Sequence, residues 1–344
     1  MPRGARKEHK MKKLIATLLL LTTTLLLFTA CFGTPQSGSG GNGDAPDPAP
    51  LKIGYMSGPT GMGMAKLIHD NGGKDGNTKY SFTAYTDTAL AKADLTKGDI
   101  DVICLPTNEA LAYYDKVDSK TRMLAINCLN SLYVITKETE TPTSLAELEG
   151  KTVYTCKNGT PKIILEYVIE ALELDITVST SINGVDMVKP ADVSAQVIAG
   201  SLPYSVIPEP LITASLLKNN DYKVALDLGD EWAKIPECQN TPVAMGCIVA
   251  NADFIAENSA QVNAFLDEYK ASIEFIGNSK NLENAANYVA ESEIMAAAPA
   301  AKKALANLGD AISYIDGDEM KSTLSAFYTA IGMTPPGDEF YYAR

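Results

Sequence analysis

The chain has 344 residues with 42 acidic and 29 basic side chains, a formal net charge of −13 at pH 7. Six of the basic residues and one of the acidic ones lie in residues 1–31, which leaves 23 basic against 41 acidic beyond them, a net of −18. A surface of that sign repels nucleic acid and anionic headgroups, which argues against a nucleic-acid function and leaves room only for a local site for a small anion.

The first thirty residues concern the compartment. Arg3, Arg6, Lys7, Lys10, Lys12 and Lys13 precede the apolar run LIATLLLLTTTLLLFTAC, a charged n-region followed by an h-region, so residues 1–30 read as an export signal. Met11 is an alternative start, because MKKLIATLLLL supplies both regions by itself. The run stops at Phe28-Thr29-Ala30-Cys31, which resembles the lipobox of bacterial lipoproteins, with Phe28 where leucine is commoner. Cys31 is therefore the expected lipidation site; the alternative is an uncleaved membrane anchor. Residues 31–50 are rich in Gly, Ser, Pro and Asp with little to bury, and read as a flexible tether. Residues 51–344 then suffice for two lobes or one large core.

From Leu51 onward, strand and helix patterns alternate. LKIGYM (51–56) reads as a strand, followed by a helix over 60–70; YSFTAYT is followed by a helix near 88–96, and DIDVICLP by a helix over 108–116. RMLAINCLNSLYVIT is strand material with a polar interruption. SLAELEG predicts a short helix stopped at Gly150, KTVYTC a strand, and the stretch after KNGT an amphipathic helix with Ile163, Ile164, Tyr167, Val168 and Ala171 at helical spacing. DITVSTSI is a further strand, ADVSAQVIAG a helix ending at Gly200, and YSVI a strand running into Pro208-Glu209-Pro210 and another helix. TPVAMGCIVAN returns to a strand pattern, and 253–332 is mostly helical with DAISYI as an interruption. This alternation predicts an α/β fold with a largely parallel sheet covered on both faces.

Several segments in this order resemble the type II periplasmic-binding-protein fold, in particular the NMT1/THI5-like and SsuA-like solute-binding components of ABC transporters. They are IGYMSGPTGMGMAKL, KGDIDVICLPTNEA, SLAELEGKTVYT, SAQVIAGSLPYSVIPEP and a helical tail with ISYIDGDEM and FYYAR. The resemblance implies two α/β lobes with a ligand cleft between them, the first from 51–131 with 243–344 and the second from 132–242. It also implies an extracytoplasmic, lipid-anchored monomer that captures a small organic solute and passes it to ABC permease subunits, with no cofactor. NSLYVIT and TPVAMGC, without helical period, fit two extended crossovers of the kind that absorbs closure. One continuous doubly wound domain is the alternative.

In open α/β sheets the ligand lies beyond the carboxyl ends of the strands, where helix N-termini present unpaired N–H groups. Ser57, Gly58, Thr60, Gly61 and Gly63 follow the first strand and suit a ligand-facing turn, although the same glycines also serve plain turn geometry. Tyr55 and Met62 beside them are candidates for stacking on a solute, or for packing. Thr107, Asn108 and Glu109 follow the strand DIDVICL, where Asn108 serves equally as a cap. Lys157, Asn158, Gly159 and Thr160 form the equivalent loop in the second lobe, and Lys157 would neutralise an anion or stay solvated. Glu209 between its prolines is stiffly placed, and a buried carboxylate there needs a partner. Asn127, Asn130 and Ser131 interrupt the first crossover, while Asn240 and Thr241 flank the second.

Neither metal nor covalent chemistry has support. His69 is the one histidine beyond the leader and reads as a solvated helix-end residue. No HExxH or GxSxG occurs, GPTGMG is neither a phosphate loop nor a dinucleotide fingerprint, and the cysteine spacings fit no zinc site. Cys238 and Cys247 are a possible disulfide; the alternative is that Cys104, Cys128, Cys156, Cys238 and Cys247 are mostly small buried hydrophobes. The expected solutes are sulfonate or taurine-like, or pyrimidine or thiamine-precursor-like. The competing functions are a fold-related enzyme of pyrimidine or menaquinone precursor synthesis and a non-transport structural lipoprotein.

Overall fold

A computed structural model describes residues 49–117 and 120–344. The export signal, Cys31 and the tether as far as residue 48 lie outside the described residues. β1 (Leu51–Met56) is buried along most of its length, the pattern of a strand covered on both faces. It leads through α1 (Pro59–Met62) and α2 (Ala65–Asp70) to β2 (Tyr80–Tyr85), and α3 (Thr88–Lys97) carries the chain to β3 (Val102–Pro106). α4 (Thr107–Lys116) follows without a loop, then β4 (Thr121–Leu129) and β5 (Leu132–Lys137).

The middle of the chain runs through β6 (Thr152–Tyr154), α5 (Thr160–Ala171), β7 (Thr177–Ser179) and a small hairpin of β8 (Ser181–Ile182) and β9 (Val185–Asp186). It continues with α6 (Pro190–Ile198), β10 (Tyr204–Pro208), α7 (Leu211–Leu216), β11 (Tyr222–Asp227) and α8 (Leu228–Trp232). β12 (Ala244–Asn251) is followed by the helical tail α9 (Ala252–Ile276), α10 (Leu282–Glu291), α11 (Ala298–Leu308) and α12 (Gly317–Ala330). The whole stretch Pro48–Arg344 is one compact unit.

Two five-stranded sheets organise this α/β fold, in the orders β2-β1-β3-β12-β4 and β11-β5-β10-β6-β7. Both sheets are mixed, where the strand–helix alternation had predicted largely parallel pairing. β1 runs parallel to β2 and β3, but β12 is antiparallel to β3 and β4; β10 runs parallel to β6 but antiparallel to β5. The reason lies in the crossovers. β5 and β12 each enter their sheet from the end at which the neighbouring strands finish, so they must run against those neighbours.

The helix expected over 60–70 is broken into α1 and α2, with Gly63 and Met64 between them. A Cβ on Gly61 would stand 2.0 Å from the Met56 carbonyl oxygen, and one on Gly63 would stand 2.5 Å from Ile273 Cγ1 of α9. The turn is thus pressed against β1 on one side and α9 on the other, which only a missing side chain permits. Gly58 differs: its φ of 177° is ordinary extended backbone, and an added Cβ would meet nothing within 4 Å.

These glycines give a paired expectation. Gly61→Ala should lower unfolding stability by about 2–4 kcal/mol, because the obstructing atom is backbone and cannot step aside. Gly58→Ala should stay within about 0.5 kcal/mol of the parent, because the added methyl meets open space and an unstrained backbone. Urea denaturation of both variants checks this, and equal losses would contradict the distinction.

Candidate functional site

The two segments that pass between the sheets are tied to each other. Asn130 donates its backbone N–H to the Val243 carbonyl at 3.0 Å, and its Oδ1 accepts from the Val243 N–H at 2.9 Å. Asn130 adopts a left-handed φ of 36°, a conformation asparagine tolerates better than most residues. Trp232 Nε1 donates to the Thr241 carbonyl at 2.7 Å, which fixes the second crossover against α8. A cavity of about 300 Å³ lies beside this tie, lined by Asn130, Gly229, Trp232, Cys238, Asn240 and Thr241 among others.

Beyond the crossovers, polar side chains from the two sheets meet. Asn108, in the first turn of α4 directly after β3, accepts at Oδ1 from Thr160 Oγ1 at 2.9 Å, and Thr160 opens α5 on the second sheet. Lys189, before α6, stands 3.6 Å from Asp87, whose carboxylate also caps α3. Glu209 follows β10, with its N–H donating to Ser131 O at 3.2 Å in the first crossover. Its fully buried carboxylate accepts from Thr213 N at 3.1 Å, Thr213 Oγ1 at 3.0 Å and Asn307 Nδ2 at 2.6 Å. Tyr133 on β5 donates its hydroxyl to the Asn307 carbonyl at 2.9 Å, so one residue at the end of α11 is held twice by the second sheet. Burial pushes the Glu209 carboxyl above the usual carboxylate range, opposed by the donors of Asn307 and Thr213.

The residues singled out from the sequence fall into groups. Asn108 and Thr160 meet between the two sheets, and Glu209 bonds to Asn307 of the helical tail. Gly159 opens α5 with φ 100°, Ser57 is exposed after β1, and an added Cβ on Gly58 would meet open space. Lys157 and Asn158 are exposed; Lys157 pairs with Asp186 of β9 at 2.6 Å, and its N–H donates to Met187 O. Asn130 and Thr241 belong to the crossover tie.

Tyr55, Met62 and Thr107 are corrections, because each is built into the core. Tyr55 is buried and donates its hydroxyl to Ser292 O at 2.9 Å, Met62 is fully covered, and Thr107 Oγ1 donates to Ala244 O while its own carbonyl accepts from Tyr328. Thr60 and Gly61 are buried in the turn, with the Thr60 carbonyl accepting from Asn127 Nδ2 at 3.0 Å. Asn108 does not cap α4, whose N-cap position is Pro106. Asn307, Tyr133, Asp87 and Lys189 were missed, since each owes its role to a partner far away in the chain.

Cys238 and Cys247 do not form the disulfide that their spacing allowed. All five described cysteines are free and buried. Cys247 sits in β12 with its thiol toward Leu105 O, whereas Cys238 lies by the Tyr167 hydroxyl, so they occupy different packing environments. Burial pushes Cys104 and Cys128 up to about 12, which keeps both as inert thiols at neutral pH. Among the described residues no group of three or more His, Cys, Asp or Glu is placed to hold a metal ion, and no helix is long and apolar enough to cross a membrane.

This architecture is the fold of periplasmic binding proteins of ABC import systems. An ABC transporter structure from Parabacteroides distasonis superposes with a TM-score of 0.67 at 20% identity, covering 86% of this chain and 100% of that one. The periplasmic aliphatic sulphonate binding protein SsuA from Escherichia coli gives 0.62 at 18% identity over 86% and 91% of the two chains. The periplasmic nitrate-binding protein NrtA from Synechocystis PCC 6803 gives 0.61 at 16% identity over 83% and 82%. No family model and no curated relative matches the sequence.

Two measurements check the chemistry of this region. Alkylation in denaturant without reductant should label all five cysteines of the 49–344 region, and fewer labels would reveal a bond. Asp227, at the end of β11, has its pKa raised from 3.8 to about 6 chiefly by burial. The native state therefore favours its protonated form relative to the unfolded chain, and the cost of ionising it is absent below about pH 4, builds between about pH 4 and 6 and is fully present above 6. Asp227→Asn keeps an acceptor for Gly229 N–H and should gain about 1 kcal/mol at pH 7, allowing for partial exposure, with no gain near pH 4. Urea titrations at the two pH values test this, and an equal gain at both would contradict it.

Proposed function

We propose that the protein is the extracytoplasmic solute-binding component of an ABC importer, a monomer of the NMT1/THI5-like and SsuA-like kind anchored by lipid on Cys31. In this reading 51–131 with 243–344 forms one lobe and 132–242 the other. A small organic solute, sulfonate or taurine-like or pyrimidine or thiamine-precursor-like, is held between them. Ser57, Gly58, Asn108, Lys157, Asn158, Gly159, Thr160 and Glu209 line its site.

The observation that carries this is the meeting of Asn108 with Thr160, Asp87 with Lys189 and Glu209 with Asn307 at one junction between the two sheets. Polar groups that face each other across a junction, without belonging to either core, suit a cleft that opens and shuts about the crossovers. Solute touching both sides shifts the population toward the shut form, which is the one a permease can distinguish. The likeness to binding proteins of import systems supports the same reading.

Native mass spectrometry of gently purified residues 32–344 tests it. The expected result is a one-to-one small-molecule adduct that disappears on unfolding and identifies the solute. A bare mass, together with no thermal shift across a broad metabolite panel, would sink the proposal.

A further inference from the structure

The charges at the junction point to the kind of solute, an inference that rests on the solute-binding reading above. Glu209 is fully buried, and its polar partners are Thr213 and Asn307, both neutral. A buried carboxylate without a cation is costly, and neutral donors offset that cost only in part. Its Oε1 accepts twice and its Oε2 once, so of roughly four acceptor positions on a carboxylate one remains, on Oε2. Asn307 is the one donor that comes from the helical tail; Thr213 is on α7, next to Glu209 in the chain.

Three basic residues near the junction are already engaged, while Lys303, one turn before Asn307 on α11, is an exposed lysine facing solvent. Lys92 pairs with Glu109 at 2.8 Å, Lys157 with Asp186 at 2.6 Å, and Lys189 with Asp87 at 3.6 Å. The described arginines are elsewhere: Arg122 is the second residue of β4, at the end of that strand away from the crossover, and Arg344 pairs with Asp267 and Asp316. The Tyr133 phenol that holds Asn307 lies in a field to which Asp227, Glu209 and Asp230 all contribute negative charge. The junction therefore lacks the forked cation that fits an oxyanion, and its unmatched charge is negative.

We propose that the solute carries a protonated amine or amidine whose N–H groups take the place of Asn307 on Glu209. Asn307 then stands in for the solute's nitrogen when the site is shut and empty. The N-terminal ends of α4 and α5, with the Asn108 amide and the Thr160 hydroxyl once their mutual bond parts, take a polar or anionic tail, so a zwitterion fits and a bare oxyanion does not.

The test combines a ligand panel with two substitutions. Ethanolamine, β-alanine, taurine and acetamidine are compared with methanesulfonate and nitrate by thermal shift, and hits and any solute identified by native mass spectrometry are titrated calorimetrically. The bound compounds should all carry an N–H cation. Glu209→Gln should weaken them at least tenfold, whereas Asn307→Ala should leave affinity unchanged or tighter. Tight binding of methanesulfonate, nitrate or a retained solute without an N–H donor would overturn the inference while leaving solute capture intact. So would unchanged affinity in Glu209→Gln, or an equal loss in Asn307→Ala, which would mark the pair as a closure latch. Should Glu209→Gln fail to fold, the panel on the unmodified protein decides by itself. Absence of any bound compound would overturn both readings together.

Discussion

The relation between the two sheets depends on the place where the chain passes from one to the other and back. Among the described residues two segments make that passage, and Asn130 locks them together by bonding with both its backbone and its side chain to Val243. An added Cβ on Gly229 would come within 2.9 Å of Asn130 Cγ, so α8 is also packed directly onto this pair. A joint this tightly bonded cannot stretch. In the proposed solute-binding role, rotation about these crossovers is the movement that would part the polar pairs beyond them.

The pairs themselves are modest in energy. A neutral hydrogen bond contributes on the order of 1 kcal/mol net, and an exposed ion pair such as Asp87–Lys189 about 1 kcal/mol or less. They do not act alone: Trp232 of α8 lies 5.9 Å from the Phe327 ring of α12, and a single core cluster takes in buried residues of both sheets. Apolar packing therefore holds the two sheets together beside the polar pairs.

Most of the strand–helix order was legible because each element carries its own period and its own stop signal. β11 and α8 were not, since YKVALDLGDEW is short and runs from strand into helix without a glycine or proline break before Gly229. Parallel pairing was overstated because alternation says nothing about which strands enter a sheet from the crossover side. For the site, Asn108, Thr160 and Glu209 could be found from the sequence, because strand ends place them whatever the rest of the chain does. Tyr55 could not be placed, since on a strand buried on both faces alternation no longer tells cleft from core. Asn307 was invisible for a different reason: its partner is 98 residues away, and an asparagine near a helix end carries no local sign of that.

The turn after β1 and the turn after β6 are built to different tolerances. The Ser57–Gly63 turn is wedged between β1 and α9 and further held by Asn127, which also bonds to Cys247 O and the Tyr269 hydroxyl. The second, at Lys157–Thr160, leans on a small exposed hairpin, and two of its three side chains face solvent. Sequence drift is therefore cheap in the second turn and expensive in the first: new side chains at Lys157 and Asn158 cost the fold little, while the glycines pressed against β1 and α9 admit almost none.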